Sequence, residues 1–393
     1  MKKTRATNRC ALLVCSLSIL LSGCWDRREI NDVAFVLATA FEVGKNKLNR
    51  QPRRVALPAQ LGGASGGGGG TSGKAPYYTD SAEGTSISED ALRLQFRMAR
   101  VLNFSHRRVI VIGHELAEQG IRYILDLMAR FPQNRITTYF VMAEEGKGEE
   151  LLKAKPHLER FPGEAIREIL SLNPAGKVSL KELWEKLSKP GVDIVLPVFK
   201  TVKSTGKEST TEISLSGIAL FSGQKVKGII KGDEAQALLS MINKFQAHRE
   251  VLDLKKNQRV VVFTEMGKNK LELLHNKPPF RYRITIRGEG SIVENTSSLD
   301  FANEQDVRKA EQLWEKTVKM NVEHVIEKMK KWHSDVIGAG NLVYQHYPQT
   351  WSSVQDRWYK HLAESQFEVN VEMRIIRVGQ ITKNVEIWKV TGK

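Results

Sequence analysis

The sequence predicts a mixed α/β, or α+β, protein of more than one module, with sheets covered by helices. Three observations carry this. Residues 31–143 alternate short β-branched runs with segments of helical spacing, in the order strand, helix, strand, helix, strand. After a polar stretch at 200–211 the chain restarts with strands and then enters a long amphipathic helix, about Asn303 to Val336. Near the end Phe367, Val369, Val371, Met373 and Ile375 alternate with polar residues, as a half-buried strand requires.

The chain opens on Lys2, Lys3, Arg5 and Arg9, followed by an apolar run of twelve residues from Cys10 to Leu21. A helix needs about 20 residues to span a bilayer, so this run reads as the apolar part of a secretory signal, residues 1–23. Leu21-Ser22-Gly23-Cys24 resembles the bacterial lipobox. That resemblance implies cleavage before Cys24, a diacylglyceryl group on its sulfur, an acyl chain on its amine and attachment to the lipid bilayer. Two acyl chains are what stable anchoring takes, at about 0.8 kcal/mol per buried methylene. Cys10 and Cys15 would leave with the signal, so the mature body has no cysteine pair and must be held by its core. With 393 residues, 41% hydrophobic and 26% charged, there is enough chain for two or three domains.

Formal charge is +16, or +12 once the four signal cations are removed. An exported lipoprotein rarely meets nucleic acid. Anionic headgroups or an acidic partner account better for the excess, at about 1 kcal/mol per well-placed cation, and lysines that simply solvate the surface account for it equally well.

From the anchor onward, Asn31 to Val43 reads as a buried strand and Arg53 to Leu61 as a second, interrupted at Pro58. A glycine-serine loop fills residues 62–73. Gly63-Ala64-Ser65-Gly66-Gly67 fits the nucleophile-elbow pattern, but glycines flank the serine where a strand and a helix should be. Gly68 to Lys74 nearly fits a phosphate loop, yet Ala75 stands where a hydroxyl should hold magnesium. Neither carries chemistry.

Tyr77 to Gly84 is a strand, and Ser86 or Ser88 caps a helix running to about Leu102. Its expected apolar face is Leu92, Leu94, Phe96, Ala99 and Val101. Arg108 to Gly113 is a short apolar strand, followed by a helix opening at His114 with Ile121, Ile124, Leu125 and Met128 at helical spacing. His114-Glu115 fails the zinc-protease pattern, since Glu118 stands where the second histidine belongs. Ile136–Ala143 is the next strand, and helical stretches follow at Glu150–Ala154, Gly163–Leu172 and Ser179–Leu187. Ser179 and Glu182 have capping-box spacing. Asp193 to Val198 closes the first module, which spans 24–200.

The second module, 212–393, begins with strands at 213–221 and 225–230 joined by a Ser222-Gly223-Gln224 turn. A helix from Asp233 to Asn243 and strands at 259–263, 271–274 and 281–287 follow. On the long helix Val307, Ala310, Trp314, Val318, Val322, Val325, Met329, Trp332 and Val336 form one stripe opposite a lysine- and glutamate-rich face. This is the pattern of a helix covering a sheet with its outer face in water.

Cys24-Trp25-Asp26-Arg27-Arg28-Glu29-Ile30-Asn31-Asp32-Val33-Ala34 closely resembles the mature start of the Ger(x)C lipoproteins, the C subunits of nutrient germinant receptors. The resemblance continues through Ala82–Thr85, Arg108–Gly113, Leu196-Pro197-Val198, Ser216–Phe221, Pro348–Trp351 and Trp358. Asp335 to Gly340 departs from the aromatic-glycine pattern of that family, and the glycine loop reads as an insertion. The resemblance implies an elongated protein of three domains, with the second half divided again near residue 280. It also implies a place on the outer face of the spore inner membrane, beside integral A- and B-type receptor subunits.

No nucleophile, paired acids or metal cluster stands at a meaningful spacing, so the chain reads as non-catalytic, with no cofactor and no metal. His106, His114, His157, His248, His275, His324, His333, His346 and His361 are scattered. Glu144-Glu145 and Glu149-Glu150 read as loop and helix-start charges. The rival reading is a solute-binding lipoprotein that delivers a small ligand to a transporter. Its two similar lobes are not evident in two dissimilar halves.

Overall fold

The computed structural model describes residues 32–44, 53–58, 77–84, 86–131, 133–146, 148–173, 176–205, 210–255 and 257–384. The glycine loop and its two motif matches lie outside these residues.

In the first half the elements are β1 (Val33–Phe35), β2 (Ala38–Phe41), β3 (Arg53–Pro58), β4 (Tyr77–Ala82), α1 (Ile87–Gln95), β5 (Val101–Asn103) and β6 (Val109–Ile112). There follow α2 (His114–Gln119), α3 (Arg122–Arg130), β7 (Tyr139–Ala143), α4 (Gly148–Lys153), α5 (Pro162–Leu172), α6 (Leu180–Leu187), β8 (Val195–Lys203), β9 (Thr211–Ser222) and β10 (Lys225–Ile230). Eight strands form one sheet in the order β10-β9-β8-β7-β6-β2-β3-β4, with β1 and β5 paired separately. The four central strands, β8, β7, β6 and β2, are parallel; β3, β4, β9 and β10 add on antiparallel.

Strand β6 shows why its sequence is apolar at every position. Val109 and Val111 pack with Ile166 and Leu170 of α5, whereas Ile110 and Ile112 face Leu116, Ile124 and Met128 of α2 and α3. A parallel strand buried on both faces has no polar side. Helix α6 keeps the expected capping box: Glu182 N–H donates to Ser179 Oγ at 3.2 Å, and Ser179 N–H donates to Glu182 Oε2 at 2.9 Å.

Several elements differ from expectation. The run Asn31–Val43 is split: β1 pairs in parallel with β5, and β2 enters the large sheet between β3 and β6. Helix α1 stops at Gln95 because the chain must turn before Val101 pairs with Val33. Leu92 and Phe96 are accordingly exposed, at 52% and 80%. The helix expected from His114 is broken at Gly120, whose φ of 121° only glycine adopts readily. The polar stretch at 200–211 joins β8 to β9, which are neighbours in one sheet.

The second half comprises α7 (Gly232–Met241), β11 (His248–Lys255), β12 (Gln258–His275), β13 (Arg281–Asn295), α8 (Glu304–Lys331), α9 (Ala339–His346), α10 (Pro348–Val354), α11 (Trp358–Glu364) and β14 (Gln366–Arg377). Its four strands lie in the order β11-β12-β13-β14, the last pair parallel. The strands expected at 259–263 and 271–274 are one, β12, eighteen residues long. Helix α8 lays its expected stripe on this sheet, burying Trp314, Val318, Val322, Val325 and Met329 against Leu252, Val262, Ile284, Ile286 and Met373. Each such side chain contributes about 1.5–3 kcal/mol on burial. Glu315 and Glu311, one turn apart, accept the Met373 and Ile375 backbone N–H groups of β14 at 3.1 and 2.9 Å. Helices α9 to α11 cover the far end with a smaller core around Phe280, Tyr282, Trp351 and Trp358. One apolar cluster runs unbroken from Ile110 in the first sheet through Leu238 of α7 to Val262 in the second.

Candidate functional site

In an open parallel sheet the usual ligand position is beyond the carboxyl ends of the strands. Here that edge carries Glu42 after β2, Glu144 after β7 and Lys200 on β8, the last two lining a cavity of about 300 Å³. Glu145 and Glu150 line it as well. Glu144, expected as a loop charge, is buried and bridged by Lys231, with Lys200 at 3.9 Å. Burial opposes the charge of Glu144, but hydrogen bonds from Lys231 and Ser216 and the field of both lysines hold its carboxyl below the usual range. Glu42 Oε1 accepts the Glu149 N–H at 2.7 Å at the start of α4. Glu42 and Glu144 are thus engaged within the fold itself.

The most built-up polar cluster lies where the two halves meet. Asp193, just before β8, donates its N–H to the Asp335 carbonyl at 2.8 Å. Asp335, just after α8, donates its own N–H to Asp193 Oδ2 at 2.6 Å. Asp193 Oδ1 also accepts from Gly223 N–H at 2.6 Å and from Tyr359 O–H at 3.0 Å. The Asp335 carboxyl accepts from Ala339 N–H at 2.9 Å, Gly340 N–H at 2.7 Å and Trp358 Nε1–H at 3.0 Å. Burial outweighs these donors and pushes Asp335 up to about 7; it raises Asp193 as well. Tyr359, buried beside Asp193, is pushed up to about 12.

The backbone closes in with the acids. A Cβ on Gly191 would stand 2.6 Å from the Gly340 carbonyl carbon, and one on Gly340 would stand 2.7 Å from the Trp358 ring. Gly340 is thus where two backbones and an indole touch. Chemically the cluster is a lock: every carboxylate oxygen of the two acids is engaged.

Of the residues expected to function, Leu21, Ser22, Gly23 and Cys24 lie outside the described residues. The histidines are not brought together: His106 packs on Phe35 at 4.7 Å, His114 faces Glu118 at 3.6 Å, and His324 faces Glu234 at 3.4 Å. Among the described residues no group of three His, Cys, Asp or Glu side chains could hold a metal ion. None of their helices is long and apolar enough to cross a membrane. Sequence reasoning did not find Asp193 and Asp335 as a pair. The available signal was local only, a single acid at the head of an apolar strand and another at the end of a long helix.

Comparison with known proteins bears on all of these elements. The family model "Spore germination protein N-terminal domain" matches residues 26–201, and "Spore germination B3/ GerAC like, C-terminal" matches residues 216–379. YfkR of Bacillus subtilis (strain 168), provisionally named a spore germination protein, is 30% identical over 98% of this chain and 100% of its own. Spore germination protein KC of the same organism is 26% identical over 94% of this chain and 96% of its own. The crystal structure of the GerBC protein superposes with a TM-score of 0.51 at 16% identity, covering 89% of this chain and all of that one, a likeness of fold. With both domain models matched in order and a full-length relative at this identity, the chain belongs to the Ger(x)C family of spore germination proteins.

Proposed function

We propose that the chain is a lipid-anchored, non-catalytic subunit of a nutrient germinant receptor, held at the outer face of the spore inner membrane beside integral A- and B-type subunits. The observation that carries this is the ordered match of both germination domains across nearly the whole chain. The anchor would be Cys24, which precedes the first described residue, Asp32, by only eight positions. Eight extended residues reach at most about 30 Å, so the β1–β5 end would ride close to the bilayer. Confinement of this kind raises the concentration of the body beside its partners. The division into modules at 24–200 and 212–393 belongs to the same proposal. The ranges of the two family models support it, although β9 and β10 complete the sheet of the first half.

The solute-binding reading loses support from the architecture. Such proteins close two similar lobes on a cleft, whereas here two unlike sheets share one apolar core.

The test is a spore carrying Cys24→Ala, scored by dipicolinic acid release over a nutrient panel, with membrane fractionation and co-purification alongside. Loss of one nutrient response, with the protein leaving the membrane fraction, is the expected result. A protein that stays in the membrane fraction overturns the anchor. A wild-type protein that never co-purifies with a multi-spanning subunit overturns the receptor assignment.

A further inference from the structure

Arg107 lies between β5 and β6 with 5% of its surface exposed, and among the described residues its guanidinium meets Thr39, Met128 and Asn134 but no carboxylate. Its Nη1 reaches Thr39 Oγ1 only at 3.4 Å, and its Nη2 meets Asn134 Oδ1 and, at 3.4 Å, Met128 Sδ. Nε has no hydrogen-bond partner among the described residues. The Phe104 ring stands 5.2 Å from the guanidinium carbon. Burial without an opposing charge pushes the group down to about 10, which still leaves it cationic at neutral pH. The one deeply buried acid of α1, Asp90, turns elsewhere: a Cβ on Gly84 would stand 2.4 Å from its Oδ1. A buried cation with an open donor and no anion is costly to keep unless something completes it.

The same arginine lines a cavity of about 60 Å³ whose other walls include Phe41, Leu94, Phe104, Leu127 and Phe131. At about 10–15 Å³ per water on this measure, the space suits four to six waters, or a ligand of roughly six heavy atoms. Apolar walls with one cation among them favour a particular chemistry, an anionic head on a short hydrocarbon tail. A planar carboxylate matches the fork of a guanidinium, and a tail of three carbons fills the remainder. Pockets of this kind are anchored by few polar groups, and here a single one carries the charge.

We propose that the cavity beside Arg107 is a binding site for a short aliphatic monocarboxylate, with the carboxylate on the guanidinium and the alkyl chain among the aromatic walls. This site is independent of the membrane anchor and of the receptor assignment. It is distinct from the paired acids at the junction and from the polar edge near Glu144.

The experiment is a titration of the purified full chain, labelled with ¹⁵N-arginine, with sodium butyrate at constant ionic strength. Butyramide serves as the neutral control of the same shape, and butylamine as a cationic control with an alkyl chain of similar length. For six heavy atoms the expected half-saturation is in the millimolar range, about 1–10 mM. The Arg107 Nε resonance should shift with butyrate and not with either control. Arg107→Met should abolish binding, and Ala91→Leu, which fills the cavity wall and leaves the guanidinium in place, should weaken it at least tenfold. Ala91→Leu keeps the test decisive if Arg107→Met fails to fold. Absence of a saturable shift up to about ten times the expected midpoint overturns the proposal. So does equal binding of butyrate and butyramide, or butyrate binding that Ala91→Leu leaves unchanged.

Discussion

Asp335 hands its backbone N–H to the carboxylate of Asp193 and takes the Asp193 N–H on its carbonyl, across a separation of 142 residues. The two halves are thereby joined through groups that each half needs satisfied. Replacing Asp335 by Asn leaves the shape but turns an NH₂ toward donors now held by a carboxylate. We expect Asp335→Asn to cost about 3 kcal/mol, the usual loss when a buried charged network is broken on one side. Thermal unfolding checks it, and hydrogen exchange should rise first at Ala339 and Gly340.

The junction and Glu250 together predict a pH dependence. Glu250 is buried, accepts Trp314 Nε1–H at 2.7 Å and is pushed up to about 7 by burial, as is Asp335. Both folded values lie above those of the unfolded chain, so native protein binds protons more tightly. The stability they contribute is complete below about pH 4 and is lost as pH rises through about 7. Melting temperature should therefore fall from pH 5 to pH 8. Glu250→Gln keeps an acceptor for Trp314 and should flatten part of that slope.

The glycine contact predicts a steric failure. Gly340→Ala would drive a methyl into Trp358 and Gly191, both within 3 Å. Overpacking of this kind costs about 1–3 kcal/mol. The loss should be read in denaturant midpoints and in weakened protection of α9 and α11, with α5 unaffected.

The last strand predicts an association state. Glu311 and Glu315 close two N–H groups on the open side of β14, an edge that would otherwise template another strand. Glu311→Ala with Glu315→Ala should raise the mass seen by light scattering above that of the unaltered chain. By contrast, Arg287→Ala removes only an exposed pair with Glu372 and should change stability by less than about 1 kcal/mol.

Much of the frame was legible, for local reasons. Strand β6 announced itself by having no polar face, α8 by a stripe of apolar residues at helical spacing, and α6 by its capping box. What escaped was set by tertiary pairing. Nothing local marks Val36-Leu37 as the place where one run becomes two strands in different sheets. The polar middle of β12, Lys268-Asn269-Lys270, reads as a break until its partner Arg287-Ile286-Thr285 is seen beside it. Nothing in the sequence sets Arg107 apart from its neighbour Arg108, and only the fold shows it enclosed. Cys24 and its lipobox, the most specific motif in the chain, fall outside the described residues.

The shared core has a consequence for how this molecule would come apart. Strands β8 and β9 pair across the 204–210 connection, and the apolar cluster continues from one sheet into the other. A protease that nicks this hairpin cuts the chain between the two family-model ranges without separating anything. The fragments would stay annealed and migrate as one particle until denaturant released them. Neither fragment could be expressed alone without laying bare the face that its counterpart covers.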